Sequence, residues 1–434
     1  MRTLIARDQK EETMNTLKLK DLLIIRIAVI LSFALIGLTN AWADKVTDWN
    51  AVASQVLLNT NRGGAQGFID VAYVHIAVYD AVNAIDGTPY SAFAVQPANV
   101  PANASAEAAA VEAAYRILIN RFPAQSGYLN EQYIASLNTI PDGQSKTDGI
   151  SVGAEVAALF LALRAGDGWN ANVTIPLGSG PGAWIPTAAT PPAVQWAARM
   201  LPFAIESNSQ FRADPPPALT SDEWAADYNE VKRFGSLNSA DRTLEQTTLA
   251  RFFLAPGAPQ LAAGIRQLSA DHDLTLSENA RLFALVFVSG GDASIAGMES
   301  KYHHQLWRPI TAIRAGDTDG NPNTEPDATW APLANTPNHP EYPSAHAFAT
   351  GSVAEALRLF FGTKKLAITL QSSTTGTSMT FTSIDDLTNS VDDARIFAGL
   401  HYRSACVRGG ALGMKVAKYV SRHYFQPVDG NRKI

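Results

Sequence analysis

The chain has 434 residues, of which 46% are hydrophobic and 17% are charged, so its composition excludes a disordered protein or a coiled coil. Lys and Arg together number 34, and Asp and Glu number 40. The resulting net charge of −6 excludes nucleic acid as the expected partner, because nucleic-acid-binding proteins carry a basic excess. The lone cysteine, Cys406, excludes an intrachain disulfide and a cysteine-rich metal site, and we expect it to be a small buried hydrophobe.

The first 43 residues have the pattern of a secretory signal. Six basic residues precede an apolar run from Ile27 to Leu38, which is followed by Ala41-Trp42-Ala43. This order predicts cleavage after Ala43 and export, either to the periplasm or as a secreted protein. The apolar run is short for a transmembrane helix, so we expect no stable membrane insertion after cleavage. Met14 is a second candidate for the true start, because residues 14–43 alone have the length of an ordinary signal.

Helices joined by loops are predicted for the residues that follow. Apolar residues recur at helical spacing from Phe68 to Ile85. A second helix is predicted from Ala106 to Phe122, with Ser105 as its N-cap, and a third from Val152 to Arg164. The stretch at 170–217 is rich in Pro and Gly and is therefore predicted to be mostly loop.

The second half of the chain begins with a capping-box pattern, Thr220 to Glu223, that predicts a helix reaching about Phe234. Further helices are predicted at residues 240–254, 259–272, 277–289 and 292–306. We interpret Ser289-Gly290-Gly291 as a break, which leaves no later apolar stretch long enough to cross a bilayer. No alternating strand pattern appears, so the predicted fold class is all-α.

Five of the eight histidines lie between His303 and His401, and three short blocks in this region carry the chemistry. The first block runs from Lys301 through Trp307 and Arg308 to Pro309. Lys301 and Arg308 are seven residues apart, so a continuous helix would place both cations on one face. We expect Pro309 to end or bend that helix.

The second block runs from His339 to His346 and contains Pro-Ser-x-His, with Ser344 as the serine. Its loop leads into a helix, and the free backbone N–H groups of a helix start suit an anion. The third block is Arg395-Ile-Phe-Ala-Gly-Leu-His401. A spacing of six separates two side chains by about 240° on an ideal helix. Long side chains, or a helix start near Arg395, must therefore bring the two together.

Taken singly, these blocks have ordinary explanations. A Lys/Arg pair usually marks a solvated helix face, and Pro-Ser-x-His is usually a helix N-cap. Together they supply two arginines, a lysine, a serine and two histidines, a set that can enclose a tetrahedral oxyanion. One imidazole could bond the central atom and the other could move protons. We expect the pocket to be locally positive, because three cations meet there with no carboxylate in the motifs. A divalent cation would instead need clustered carboxylates and histidines.

In this order, Lys-x6-Arg-Pro, Pro-Ser-x-His and Arg-x5-His resemble the signature of the superfamily of vanadium-dependent haloperoxidases and type 2 phosphatidic acid phosphatases. The flanking residues are similar to those of soluble bacterial haloperoxidase-type members. The resemblance implies two fused helical bundles with the anion site in the C-terminal bundle. We therefore expect an N-terminal helical domain at residues 44–270, with the long loop, and a C-terminal domain at residues 271–434.

The resemblance also implies roles for the residues of the blocks. His401 would be the covalent ligand of vanadium, or the nucleophile toward phosphorus, and His346 the acid–base histidine. The vanadate or phosphate oxygens would be held by Lys301, Arg308, Arg395, Ser344 and the backbone N–H of Ala345. The superfamily usually has Gly in place of Ala345 and often Ser in place of Ala394. His339, seven residues before His346, is a further candidate because some bromide-preferring haloperoxidases have a histidine there; alternatively, it only caps a loop.

Three functions are open at this stage. The first is an exported haloperoxidase that uses vanadate as cofactor, with hydrogen peroxide, a halide and a small organic acceptor as its small-molecule partners. The second is a soluble acid phosphatase that needs no vanadate and forms a phosphohistidine from a phosphate ester at the same pocket. The third is a helical export protein with a decayed site, against which the complete set of pocket residues argues. The sequence leaves the halide, the acceptor and homo-oligomerisation open.

Overall fold

Thirteen α-helices and one short β-hairpin make up residues 44–428, which a computed structural model describes. The predicted signal segment, residues 1–43, lies outside the described residues. Residues 44–428 belong to one compact unit. The boundary predicted between residues 270 and 271 falls at the end of a helix, and the division into two domains stays a prediction.

Five helices precede the long loop. They are α1 (Lys45–Asn59), α2 (Gly64–Ile85), α3 (Ala106–Arg121), α4 (Ser126–Asn138) and α5 (Gln144–Leu163). Eight helices follow it: α6 (Asp222–Phe234), α7 (Leu244–Phe252), α8 (Gly257–Asp271), α9 (Leu276–His304), α10 (Pro309–Arg314), α11 (Ala345–Phe361), α12 (Ile384–Phe397) and α13 (Arg403–His423). Between α11 and α12, strands β1 (Ile368–Ser372) and β2 (Thr377–Phe381) pair antiparallel, with Leu370 opposite Met379.

The all-α prediction is confirmed, and most predicted helices are present. Ser105 caps α3 by accepting a hydrogen bond from the N–H of Ala108. Ser221, inside the predicted capping box, caps α6. Apart from one 3-10 turn at Gln195–Arg199, residues 170–217 have no helix or strand. The predicted start of the third helix, Val152, was wrong, because α5 begins two turns earlier at Gln144. The hairpin was not predicted, because each strand has only five residues and no clean alternation of buried and exposed positions.

The predicted break at Ser289-Gly290-Gly291 is wrong, because α9 runs without interruption through these residues. The two glycines serve packing instead. A Cβ added at Gly290 would lie 2.7 Å from the ring of Phe68, and one at Gly291 would lie 3.1 Å from Ala72 Cβ. Both contacts are with α2, so the glycines let the two central helices approach closely.

Helices α2 and α9 are long and apolar enough to cross a membrane by length and composition, which corrects the expectation that no such stretch follows residue 43. In each helix 94% of the most apolar window is buried inside the protein. Both are therefore central core helices of the described unit.

Helices α9, α11, α12 and α13 form the packed group that carries the three sequence blocks. The closest approach is between α11 and α13. A Cβ at Gly413 would lie 2.1 Å from the backbone oxygen of Phe348, and one at Gly351 would lie 2.6 Å from that of Gly410. This contact fixes the start of α11 beside the start of α13.

Candidate active site

Lys301 and Arg308 do not lie on one helix, contrary to the sequence interpretation. Helix α9 ends at His304, and Gln305 adopts a left-handed conformation with φ 48°. Pro309 is the first residue of α10 rather than the end of α9, because the missing N–H of proline is tolerated in the first turn. The two cations therefore come from different elements.

The Lys301 side chain is fully buried in the last turn of α9. Its Nζ donates hydrogen bonds to the carbonyl oxygens of Pro340 at 3.0 Å and Glu341 at 2.8 Å. Burial lowers the pKa of Lys301 well below its usual value, and the charge of Arg308 lowers it further. An anion nearby would favour the charged ammonium group.

Arg308 is fully buried and brings two histidines together. Its Nη1 contacts His401 Nε2 at 3.2 Å and donates to the carbonyl of Leu400 at 2.9 Å. Its Nη2 contacts His339 Nδ1 at 3.0 Å, and its Nε donates to the carbonyl of His339 at 3.0 Å. Because a guanidinium group only donates, the contacted Nε2 of His401 is an acceptor and carries no proton. His339 Nδ1 also lies 3.1 Å from the carbonyl oxygen of Pro340.

Glu341 is a residue of the site that the sequence analysis missed. Its carboxylate is fully buried, and Oε1 accepts hydrogen bonds from His401 Nδ1 at 2.7 Å and from the N–H of Tyr402 at 3.1 Å. It thereby holds His401 with the Nε2 lone pair directed at Arg308. Burial raises the pKa of Glu341 to about 8, although Lys301 and Arg308 act in the opposite direction. Its position between His339 and Ser344, inside the second block, was the feature of the sequence that could have indicated a place in the site.

The second block provides donors without partners at the start of α11. Ser344 is the N-cap of this helix, and its buried Oγ makes no hydrogen bond within the described part of the chain. The backbone N–H groups of Ala345 and His346 also donate to no described atom. His346 Nε2 is buried and likewise lacks a partner among residues 44–428. A free hydroxyl, free N–H groups and an imidazole thus gather at one helix start.

Arg395 and His401 are separated by the end of a helix, which removes the difficulty of their 240° spacing. Arg395 lies in the last turn of α12, and His401 follows it in the connection to α13. Gly399 turns the chain with φ 75°, and the N–H of Leu400 donates to the carbonyl of Arg395. Arg395 Nη1 donates to the carbonyl of Phe253, whereas its buried Nε has no partner within residues 44–428.

The two acidic residues before Arg395 do not orient it through any ion pair in the described structure. Asp393 pairs with Arg403, and Asp392 forms no ion pair among residues 44–428. Both lie within α12.

The electrostatics of the site are dominated by three buried cations. Burial lowers the pKa of His346 and His401 well below 6.5, and the charges of Arg308, Lys301 and Arg395 lower both further. Burial also lowers the pKa of Arg308 and of Arg395 to about 10. Glu341 corrects the expectation that no carboxylate belongs to the blocks, but one carboxylate cannot balance three cations.

The pocket therefore suits a tetrahedral oxyanion. The positive charges of its three cations exceed the negative charge of the one carboxylate. Several donors have no acceptor within residues 44–428, namely Ser344 Oγ, Arg395 Nε and the first N–H groups of α11. No cluster of three or more His, Cys, Asp or Glu side chains that could hold a metal cation occurs within residues 44–428. A helical-bundle protein with an oxyanion pocket between helix ends is the class that fold and site define.

Comparison with known proteins agrees with this class. Residues 281–430 match the family model described as "VCPO second helical-bundle domain". Vanadium chloroperoxidase of Curvularia inaequalis is 30% identical over 192 residues, covering 37% of this chain and 31% of the relative. The match thus spans less than a third of the length of that relative.

Solved structures show the same fold over most of the chain. A bacterial vanadium-dependent iodoperoxidase superposes with a TM-score of 0.71 and 22% identity, covering 89% of this chain and 97% of the other. An apo bacterial vanadium-dependent chloroperoxidase gives a TM-score of 0.64 and 17% identity, covering 83% and 93%. The family match over residues 281–430, the curated relative and the solved structures thus all show similarity of this chain to vanadium haloperoxidases.

Proposed function

We propose that this chain is an exported vanadate-dependent haloperoxidase that uses hydrogen peroxide to oxidise a halide. The oxidised halogen then halogenates a small organic acceptor. The observation that supports it best is the pocket of three buried cations facing His401 Nε2 and the unpartnered donors of α11. The similarity to vanadium chloroperoxidase and to a vanadium-dependent iodoperoxidase favours vanadate as the oxyanion.

The residues present fit this cofactor. Lys301, Arg308 and Arg395 would neutralise its oxygens, and His401 Nε2 would bond the metal. Ser344 Oγ and the Ala345 N–H would donate to the remaining oxygens. Vanadate, when bound, would supply a Lewis-acidic centre that activates hydrogen peroxide toward attack by halide.

Each histidine has a separate task in this proposal. His401 is held by Glu341 through Nδ1, so its Nε2 lone pair faces Arg308 and becomes available when Arg308 donates to an oxyanion instead. His346 has no hydrogen-bond partner at Nε2 within residues 44–428 and is neutral at ordinary pH, so it can take a proton from a reacting oxygen and return it.

The second candidate function is phosphate-ester hydrolysis, because phosphate has the shape and charge of vanadate and would meet the same donors. His401 Nε2 would then attack phosphorus, the bond to the ester oxygen would break, and His346 would protonate the departing alcohol. Water would afterwards hydrolyse the phosphohistidine.

The deciding experiment uses the purified chain from Asp44 onward, loaded with vanadate. We expect halogenation of an organic acceptor that requires both vanadate and hydrogen peroxide, is lost in His401→Ala, and is inhibited by excess phosphate. Chloride, bromide and iodide in parallel identify the halide. Hydrolysis of a phosphate ester without any halogenation would contradict the proposal and support the phosphatase, and neither activity would contradict both.

A further inference from the structure

A second, separate cleft lies between α1, α8 and the β1–β2 hairpin. Its volume is about 480 Å³, and eight of its fourteen lining residues within the described structure are polar and uncharged. The polar residues that line it are Ser54, Gln55, Gln260, Gln371, Ser372, Ser373, Thr377 and Ser378. None of its lining residues within the described structure is acidic, and none belongs to the three sequence blocks. The cleft is therefore distinct from the oxyanion pocket.

Arg266 of α8 is the one charged residue among those that line this cleft in the described chain. Its Nη1 donates to Asn50 Oδ1 at 2.5 Å and to Ser54 Oγ at 3.4 Å. No carboxylate pairs with it anywhere in residues 44–428, although fifteen ion pairs occur there. Burial lowers the pKa of Arg266 to about 10, which indicates an environment that lacks a counter-charge.

A buried hydrogen-bond chain holds this guanidinium in place. Asn50 Oδ1 accepts from Arg266, so Asn50 Nδ2 donates to His75 Nε2 at 2.9 Å. His75 is fully buried and stacks on Phe287 with ring centroids 5.2 Å apart. Burial lowers its pKa to about 3, so it remains a neutral acceptor. Its Nδ1 is buried and makes no hydrogen bond within residues 44–428.

The other two guanidinium nitrogens of Arg266, Nη2 and Nε, donate to no atom of the described chain and are not sealed from solvent. A pre-oriented guanidinium edge without a counter-ion matches the two oxygens of a carboxylate. The surrounding hydroxyl and amide groups match a ligand that itself carries hydroxyl groups.

We propose that this cleft binds a small polyhydroxylated carboxylate, such as a sugar acid, with the carboxylate on Arg266 and the hydroxyl groups on the Ser, Thr and Gln side chains. Two features of the described structure carry the assignment. They are the oriented cation without a carboxylate partner and the hydroxyl-rich wall of the hairpin turn. This site is independent of the proposed haloperoxidase activity and needs no vanadate.

The test is calorimetric titration of the vanadate-free protein with glucuronate, and with glucose as the uncharged probe. We expect saturable glucuronate binding with a Kd of about 10 mM or below, and much weaker binding of glucose. Arg266→Gln should weaken glucuronate binding by about tenfold to a hundredfold, since it removes a charge-assisted bidentate contact. Arg251→Gln, which removes an exposed arginine of α7, is the control and should bind as the wild type does.

A second variant covers the case in which Arg266→Gln does not fold. Ser378→Trp places a large side chain in the cleft at an exposed position of β2 and leaves Arg266 intact. It should also abolish glucuronate binding, while vanadate binding to both variants stays at the wild-type level. Equal binding of glucuronate and glucose, unchanged binding in Ser378→Trp, or no binding to the wild-type protein would overturn the proposal.

Discussion

His401 and His346 lie in the same field of three cations but differ in what holds them. His401 is fixed on both ring nitrogens, by Glu341 at Nδ1 and Arg308 at Nε2. His346 Nε2 has no partner within residues 44–428. The first is therefore suited to bond a central atom, and the second to exchange protons.

Replacing each histidine by alanine should separate these roles. His401→Ala should abolish tight vanadate binding, because the proposed bond to the metal is lost. His346→Ala should keep measurable binding, since the three cations remain, but lower turnover by about 10²–10⁴-fold. Equilibrium vanadate titration beside steady-state rates checks both outcomes. An equal loss of vanadate binding in the two variants would show that His346 itself helps to bind the anion in the pocket, and would contradict this division of roles.

Glu341 should set the affinity of His401 for vanadate. Glu341→Gln keeps an oxygen that can accept from His401 Nδ1 and from the Tyr402 N–H but removes the negative charge. We expect vanadate to bind about tenfold to a hundredfold more weakly, as for other residues that orient a metal ligand. Because burial raises the pKa of Glu341 to about 8, the carboxylate form is gained as the pH rises through that value, and wild-type vanadate affinity should rise with it.

The pH dependence provides the control for this prediction. In Glu341→Gln the change in vanadate affinity around pH 8 should disappear, whereas a purely structural effect of the substitution would leave it in place. Wild-type affinity in Glu341→Gln would show that the charge of this carboxylate has no role.

At the scale of the elements, the close contact of α11 with α13 keeps the Ser344 end of α11 beside the start of α13. The N–H of Ser344 donates to the carbonyl of Ala405, which joins the two helix starts directly. Gly413 and Gly409 allow this approach, because a Cβ at either would lie within 3 Å of an α11 or Ser344 backbone oxygen. The position of the unpartnered donors at the start of α11 thus depends on glycines of another helix.

Gly413→Ala should consequently destabilise the protein. The added Cβ would lie 2.1 Å from the backbone oxygen of Phe348, and no side-chain rotation relieves a clash with backbone. We expect a loss of about 3 kcal/mol in the free energy of unfolding, measured by urea denaturation. Gly410→Ala in the same helix is the matched control, because nothing lies within 4 Å of its added Cβ, and it should gain about 0.5–1 kcal/mol. Similar effects at both positions would contradict this account of the contact.

For the whole molecule, the uncompensated charge of the pocket links stability to anions. The folded protein keeps His346 and His401 neutral, with pKa values well below 6.5. The unfolded chain protonates them below about pH 6.5. The stability that they contribute is therefore present above pH 6.5 and is lost as the pH falls. A bound oxyanion raises these pKa values and reduces that loss.

Sulfate, which stays a dianion over this range, should raise the Tm more at about pH 5.5 than at about pH 7.5. Thermal unfolding at low, fixed sulfate concentrations measures the effect. Arg395→Gln is the control and should lose most of the shift. A shift of equal size at both pH values would contradict the linkage.

The residue chemistry of the pocket could be predicted from the sequence, because it depends on residue types in a fixed order. Six polar residues fall in three short blocks of the sequence, and the structure brings them together around Arg308 and the start of α11. They are Lys301, Arg308, Ser344, His346, Arg395 and His401. The helical class was also predictable, since apolar residues at helical spacing and capping residues such as Ser105 act locally.

Only the tertiary structure decided how these residues meet. The left-handed Gln305 and the turn at Gly399 place Lys301, Arg308, Arg395 and His401 by ending helices that sequence spacing alone would continue. Gly290 and Gly291 look like a helix break in the sequence, but they pack α9 against α2 because a glycine has no Cβ to keep a neighbour away. The role of Glu341 follows from a contact across 60 residues with His401, which its position in the second block does not by itself predict.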